Sequence, residues 1–240
     1  MKLQTALDLI YPPQCVMCDA IVGEPFQLCP SCWRATPFIA GLVCDTCGTP
    51  LIGEDTGHRE TCDDCLAIAR PWDRGRCALL YRDGAKRLVL ALKHGDRQDL
   101  SHPAARWMTG AAGPIVAPGM LIVPIPSHWL RLLRRRYNQA ALLANRLGKS
   151  LSLEVVPDAL IRPKRTKIQD GMTRDDRYRN LAGAFAPHPK RGAVLKGRDI
   201  LLVDDVMTSG ATFAAATETC LAAGANRVSV LALARVAKDA

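Results

Sequence analysis

The sequence predicts an α/β protein, a parallel sheet flanked by helices, behind a small Cys-rich module at the N-terminus. Three observations lead there. Eight of the ten cysteines fall within the first 65 residues, in a stretch rich in Pro and Gly. From Trp72 onward, apolar runs alternate with segments of helical spacing, the pattern of strands joined by helical crossovers. The run Ile200 to Val203 is continuously apolar, as a strand buried on both faces must be, and it leads into two acids, a hydroxyl-rich turn and an alanine-rich segment.

The early cysteines form four Cys-x-x-Cys pairs: Cys15/Cys18, Cys29/Cys32, Cys44/Cys47 and Cys62/Cys65. Thiolates two residues apart can grip one tetrahedral ion from a tight knuckle turn, and two knuckles complete a four-sulfur zinc site. The set therefore suits one or two structural Zn2+ ions. Ten residues separate Cys18 from Cys29 and fourteen separate Cys47 from Cys62; sequential or interleaved pairing would each close two sites, and sequential pairing is the simpler. Disulfides are disfavoured because Met1 to Tyr11 lacks the pattern of a secretory signal, and a redox role would want a βαβ context that this segment lacks. His58 reads as a loop residue. Residues 12 to 70 cannot build their own apolar core, so metal must supply much of their folding free energy. Cys77 and Cys220, alone in apolar or helical surroundings, read as buried small hydrophobes.

Beyond Trp72 the elements follow in turn. Arg76 to Tyr81 is apolar enough for a strand. Asp83 to His94 places Leu88, Val89 and Leu92 on one helical face. Met120 to Ile125 is a second buried strand that ends in a turn at Pro124 and Pro126, and Tyr137 to Leu147 reads as a helix. Leu153 to Val156 suits a strand, Asp175 to Leu181 a short turn or helix, and Ala182 to Ala186 a short strand. Ile200 to Val203 is the strand already described, Phe213 to Ala223, closed by Gly224, the helix after it, and Arg227 to Val236 the last strand. Ligands of such sheets sit at the carboxyl ends of the strands, where Asp204 lies.

With 240 residues there is room for one sizeable core plus a small module. Lys and Arg outnumber Asp and Glu by 32 − 23 = +9, which attracts polyanions, whether a phosphorylated small molecule or a nucleic acid. No apolar stretch is long enough to cross a bilayer, so no membrane insertion and a cytoplasmic location are expected. Nothing in the chain fixes an oligomeric state.

The turn after Val203 carries the chemistry. Its unpaired N–H groups at a helix N-terminus favour a phosphate, Gly210 lets the backbone come close, and Thr208, Ser209 and Thr212 offer hydroxyls. Carboxylates at Asp204 and Asp205 would repel that phosphate, and suit hydrogen bonds from sugar hydroxyls on the same ligand. A Walker A loop is excluded, since no Gly-Lys pair precedes the Ser or Thr. The bland alternative, a helix cap, needs one such residue, whereas two acids, three hydroxyls and a glycine fall within nine positions.

Two basic segments accompany it. Pro126 to Gln139 holds four arginines, Arg131, Arg134, Arg135 and Arg136, directly after a strand end, where a second anionic group could bind or where the charges simply face solvent. Arg162 to Gln169, followed by Arg174, Arg177, Arg179 and Asn180, suits a mobile lid, a nucleic-acid contact in which only Tyr178 could stack a base, or plain surface.

The stretch Ile200 to Thr212 resembles the 5-phosphoribosyl-1-pyrophosphate (PRPP) motif of type I phosphoribosyltransferases. The resemblance implies a ribose-phosphate site at Asp204, Asp205, Val206, Met207, Thr208, Ser209, Gly210, Ala211 and Thr212, with the acids on the ribose hydroxyls and the loop on the 5-phosphate. Together with Tyr11-Pro12-Pro13-x-Cys15-x-x-Cys18, the later knuckles, Val123-Pro124-Ile125-Pro126, Tyr137-Asn138-Gln139, the Arg162 to Gln169 loop, Arg177-x-x-Asn180 and Phe185, the chain is similar to the ComF family over about residues 7 to 236. That likeness implies a double zinc ribbon at residues 7–70 and a type I phosphoribosyltransferase-like domain at 71–240. It implies a pyrophosphate loop drawn from Ser127, Arg131, Arg135, Arg136, Asn138 and Gln139, and a mobile loop with Arg162, Thr166, Gln169, Arg177 and Asn180. It also implies Mg2+ bound with PRPP. Two functions are compatible: phosphoribosyl transfer to an acceptor the sequence does not name, or a non-catalytic protein that binds a phosphorylated nucleotide, single-stranded DNA or a protein of the DNA-uptake machinery. The family commonly has Arg-Gly-Phe-Asn-Gln where this chain has Arg135-Arg136-Tyr137-Asn138-Gln139, so a turn that favours glycine here carries a charged side chain.

Overall fold

The structure, a computed structural model, describes residues 11–55, 57–94, 97–129, 132–133, 136–164 and 173–237. Two short helices, α1 (Pro30–Arg34) and α2 (Asp63–Ala67), each start directly behind a cysteine, Cys29 and Cys62. Then follow β1 (Gly75–Leu80), α3 (Asp83–His94), α4 (Ser101–Ala112), β2 (Leu121–Pro124), α5 (Gln139–Leu151), β3 (Glu154–Val155), β4 (Leu160–Ile161) and α6 (Arg174–Leu181). β5 (Ala186–Pro187), β6 (Asp199–Met207), α7 (Ala211–Ala222) and β7 (Arg227–Arg235) complete the order.

Five strands form one parallel sheet in the order β1-β7-β6-β2-β3, with β6 at its centre. Parallel strands need crossovers that cover both faces, which explains why Ile200, Leu201, Leu202 and Val203 have no exposed surface. On one face α3, α4 and α5 bring Leu88, Leu92, Met108 and Leu143 against Leu201, Val203 and Leu231. On the other, Phe213, Ala214 and Cys220 of α7 pack on Ile200, Leu202 and Val230, and Cys44, Cys47 and Cys65 join the same core. Among the described residues no helix is long and apolar enough to cross a membrane.

The α/β parallel sheet expected from the sequence is present, with informative differences. α4 was not anticipated: Pro103, Gly110 and the following Gly113-Pro114 mask its pattern. Pro is tolerated in a first turn, and buried Ala104, Ala105, Met108 and Ala112 give the helix a small-residue face for close packing. α5 starts two residues later than expected because Asn138 caps it, its side chain accepting from Ala140 N at 3.1 Å. β6 runs through the acid pair to Met207 instead of stopping at Val203, since β7 keeps pairing with it, Asp204 opposite Ala232 and Met207 opposite Arg235. The strand expected at 182–186 begins only at Ala186, in a two-residue antiparallel pair with β4, which is too short to leave any periodicity in the sequence.

The Cys-rich module is built onto the sheet. Ile39 N donates to Ala78 O and Leu80 N to Pro37 O, both at 2.9 Å, so the segment after α1 covers the outer edge of β1 that would otherwise stand open to another strand. Gly48, at φ +69, sits where a Cβ would lie 2.8 Å from Cys77 N, so only glycine lets this knuckle approach β1. Asp45, buried between the knuckle and β1, accepts from Arg74 at 2.5 Å and Arg76 at 2.7 Å. Burial alone would raise its pKa, but Arg76 and Arg74 outweigh it and hold the carboxyl at about 2.

Candidate functional site

Two four-sulfur clusters form, and the pairing is sequential. Cys15, Cys18, Cys29 and Cys32 make one, Cys44, Cys47, Cys62 and Cys65 the other, with all sulfurs of a cluster within 4.8 Å of one another. Sulfur separations of 3.5 Å for Cys18 to Cys29 and 3.7 Å for Cys47 to Cys62 suit a tetrahedral zinc, whose Zn–S bonds of about 2.3 Å put ligand sulfurs about 3.8 Å apart. Cys29 N donates to Cys15 Sγ and Cys32 N to Cys29 Sγ, the amide support a thiolate wants. These are two zinc-binding sites, each of four cysteines. His58 is exposed and outside both clusters. Cys77 and Cys220 are buried, and burial pushes each thiol up to about 12.

The acid pair stands at the carboxyl end of β6. Asp204 is partly exposed, while Asp205 is buried and faces α3, where Lys93 Nζ lies 3.0 Å from its Oδ1. Asp204 Oδ1 accepts from Asp205 N at 2.8 Å. Burial and the neighbouring Asp205 charge push Asp204 up to about 7, with Lys93 and Arg162 pulling the other way. Burial would lower the Lys93 pKa, but the Asp205 carboxylate outweighs it and raises it. Lys93 escaped the sequence reading although its signal was present: it falls four residues after buried Val89, on the apolar face of its helix.

Beyond the acids the chain turns at Thr208 and Ser209 into α7, whose N-cap is Gly210 at φ +83. A helix start leaves its first N–H groups without partners inside the helix, and here Ala211 N donates to Ser209 Oγ at 3.4 Å. Thr208, Ser209 and Thr212 are half-buried at this edge. A Cβ on Gly210 would lie 2.9 Å from the Trp72 ring and 3.2 Å from Arg70 Nη1.

The first basic segment leaves the sheet one strand away, since Pro124 of β2 pairs with Val203 and Ile125 N donates to Val203 O at 2.8 Å. Within it Asn138 is bound into the scaffold, donating to Ile125 O at 3.0 Å while capping α5, and Ser127 Oγ lies 3.4 Å from its Oδ1. Gln139 is buried, its amide 3.5 Å from Lys93 O, so both side chains shape the loop. Arg136 is exposed and takes φ +64, the left-handed region that glycine fills without strain. Arg131 and Arg135 lie outside the described residues, as do Thr166 and Gln169 of the second basic segment. Arg162 stacks over the Phe185 ring at 5.3 Å, and Arg177 and Asn180 lie on α6. Tyr178, the aromatic that could have stacked a base, is engaged elsewhere: its hydroxyl meets Arg70 Nη1 at 2.5 Å and lies 3.5 Å from Ser209 O.

Residues 6–78 match the family model described as a double zinc ribbon domain. The chain is 30% identical over 239 residues, 95% of its own length and 99% of the relative's, to the DNA utilization protein YhgH of Escherichia coli K12. It is 28% identical over 197 residues to competence protein F of Haemophilus influenzae, covering 80% of this chain and 84% of that one. Among solved structures, glutamine PRPP amidotransferase from B. subtilis overlaps 60% of this chain and 30% of its own, with 14% identity and a TM-score of 0.41. A hypoxanthine phosphoribosyltransferase from Staphylococcus aureus overlaps 60% of this chain and 68% of its own, with 14% identity and a TM-score of 0.33.

Proposed function

The chain belongs to the ComF family, and we propose that its sheet-edge turn binds PRPP or a related ribose 5-phosphate ligand and transfers the phosphoribosyl group to an acceptor. One observation carries this reading: an acid pair at the carboxyl end of the central strand runs directly into a helix N-terminus opened by a left-handed glycine. A sugar phosphate has the matching halves, hydroxyl donors for Asp204 and Asp205 and an anion for the amides and hydroxyls of Thr208 to Thr212. Lys93 fixes the orientation of Asp205, leaving Asp204 the more open carboxylate. In the transfer, the C1–oxygen bond to pyrophosphate breaks as the acceptor bonds to C1, positive charge grows on the sugar and negative charge on the departing group. The carboxylates favour the first, and the basic loop with Ser127, Arg131, Arg135 and Arg136 favours the second. Mg2+ bound with PRPP would neutralise part of the pyrophosphate charge. In this reading residues 7–70 form the zinc ribbon, 71–240 carry the pocket, Arg162, Thr166, Gln169, Arg177 and Asn180 close over it, and the protein works in the cytoplasm.

The names of the relatives, DNA utilization protein and competence protein F, favour a second reading. There the pocket takes the phosphorylated end of a nucleotide, while the ribbon and the basic segments contact single-stranded DNA or a DNA-uptake protein without turnover. Such DNA binding, drawn by the basic segments, would fall steeply with salt. Calorimetric titration with PRPP, with and without Mg2+, tests the pocket: wild type should bind and Asp204→Ala/Asp205→Ala should not. Pyrophosphate release across a panel of bases and amines then tests transfer. Silence across that panel, with PRPP binding intact, selects the second reading.

A further inference from the structure

The second cysteine cluster and the candidate phosphate turn share two arginines. Arg235, the last residue of β7 and only 4% exposed, directs Nη1 to Met207 O at 3.3 Å and Thr208 O at 2.5 Å, while its Nη2 lies 3.8 Å from Cys47 Sγ. Arg70, five residues behind Cys65, donates from Nη1 to Ser209 O at 2.8 Å, and although burial alone would lower its pKa, the nearby Cys65 sulfur helps raise it. A third link passes through Trp72, whose Nε1 donates at 2.6 Å to Thr46 O inside the knuckle and whose ring bounds Gly210. Carbonyls of three successive residues of the turn, Met207, Thr208 and Ser209, thus accept from two guanidinium groups beside the second cluster, while Met207 O also accepts from Val236 N at 2.9 Å.

We propose that Arg70 and Arg235 are positioning residues that make the shape of the phosphate turn depend on zinc at Cys44, Cys47, Cys62 and Cys65. Four thiolates around one divalent ion leave two negative charges, and the two guanidinium groups balance them. Each fork then has donors left over for the turn's carbonyls, which keeps those carbonyls turned away from the sheet edge and its amides toward it. A loaded second site therefore holds the turn in its anion-binding form, and an emptied site leaves two inward-facing arginines without counter-charge and the turn held more loosely. The first cluster, whose core is Cys15, Cys29 and Cys32 with Met17, Val22 and Leu28, has no such link among the described residues. The value of this device to the protein rests on the ribose-phosphate reading of the turn. By linkage, a ligand that needs the ordered turn must in return tighten zinc at the second site only.

Hydrogen exchange on the full zinc-loaded chain, read at residues 207–213, tests the coupling without any ligand. Arg70→Met and Arg235→Met should raise exchange there about tenfold, whereas Cys18→Ser, which opens the first cluster, should leave it unchanged. Arg70 is the less buried of the two, so Arg70→Met carries the test if Arg235→Met does not fold. In wild type, saturating ribose 5-phosphate should slow capture of one of the two zinc ions by a chromogenic chelator about tenfold, and Arg70→Met should abolish the slowing. Unchanged exchange in Arg70→Met, or an equal rise in Cys18→Ser, overturns the proposal. Unchanged exchange in Arg70→Met with calorimetric PRPP binding in wild type leaves the pocket standing and the coupling refuted. Loosened exchange with no PRPP binding by wild type refutes the pocket and leaves the coupling of turn to metal.

Discussion

Replacing Asp204 with asparagine separates what the folded chain needs from what its ligand needs. Asparagine keeps the shape and the Oδ1 acceptor that takes Asp205 N at 2.8 Å, and removes only a charge that sits beside Asp205 in a crowded site. In the folded protein this carboxyl is pushed up from 3.8 to about 7, first by burial and then by Asp205. A raised carboxyl pKa means that the folded state holds a proton the unfolded chain has released, so stability falls as pH climbs through that window and is lowest above it. At about 1.4 kcal/mol per unit the full penalty is at most about 4 kcal/mol. Solvent at the partly exposed carboxylate screens it, leaving roughly 1–3 kcal/mol. Urea denaturation of wild type and Asp204→Asn should therefore find the variant more stable by that amount at about pH 8, with the gap narrowing by about half near pH 5. The same variant should lose at least about tenfold in PRPP affinity at pH 8, the exchange of stability for function expected of a binding carboxylate. A variant less stable than wild type at pH 8, or a gap that does not move with pH, would refute the electrostatic reasoning.

Lys93→Met should cost about 1–3 kcal/mol at pH 8, because it strands the Asp205 carboxylate 3.0 Å from where its partner stood; a double-mutant cycle with Asp205→Asn should recover most of that loss in urea denaturation. Gly210→Ala combines a φ of +83 with a Cβ 2.9 Å from the Trp72 ring, and calorimetric melting should show a loss of about 2–4 kcal/mol. Arg136→Gly should gain up to about 1 kcal/mol by relieving a left-handed arginine at φ +64, read in the same melts.

The strands with continuous apolar runs and the helix at Asp83–His94 were legible because burial on two faces, or on one helical stripe, leaves a strong period in the sequence. The cysteine pairs announced two metal sites, while their pairing became visible only when the chain folded Cys15 against Cys29 and Cys44 against Cys62. α4 stayed hidden behind Pro103 and Gly110, whose propensity points away from the helix that tertiary packing imposes. Lys93, Arg70 and Arg235 were missed for another reason. Each is a lone basic residue, and its partner is 112, 139 or 188 positions away in Asp205, Ser209 and Cys47, a relation that local pattern does not record. The acids and the Thr-Ser-Gly turn stood out because their chemistry is contiguous along the chain.

Competitive binding of PRPP, ribose 5-phosphate and unphosphorylated ribose to the zinc-loaded wild type bears most directly on the claim that main-chain amides after Met207 hold a phosphate while the adjoining acids hold its sugar. Both phosphorylated compounds should bind and compete for one site, with ribose weaker by at least about a hundredfold. Ribose binding as tightly as ribose 5-phosphate, or neither phosphorylated sugar binding at all, would contradict it.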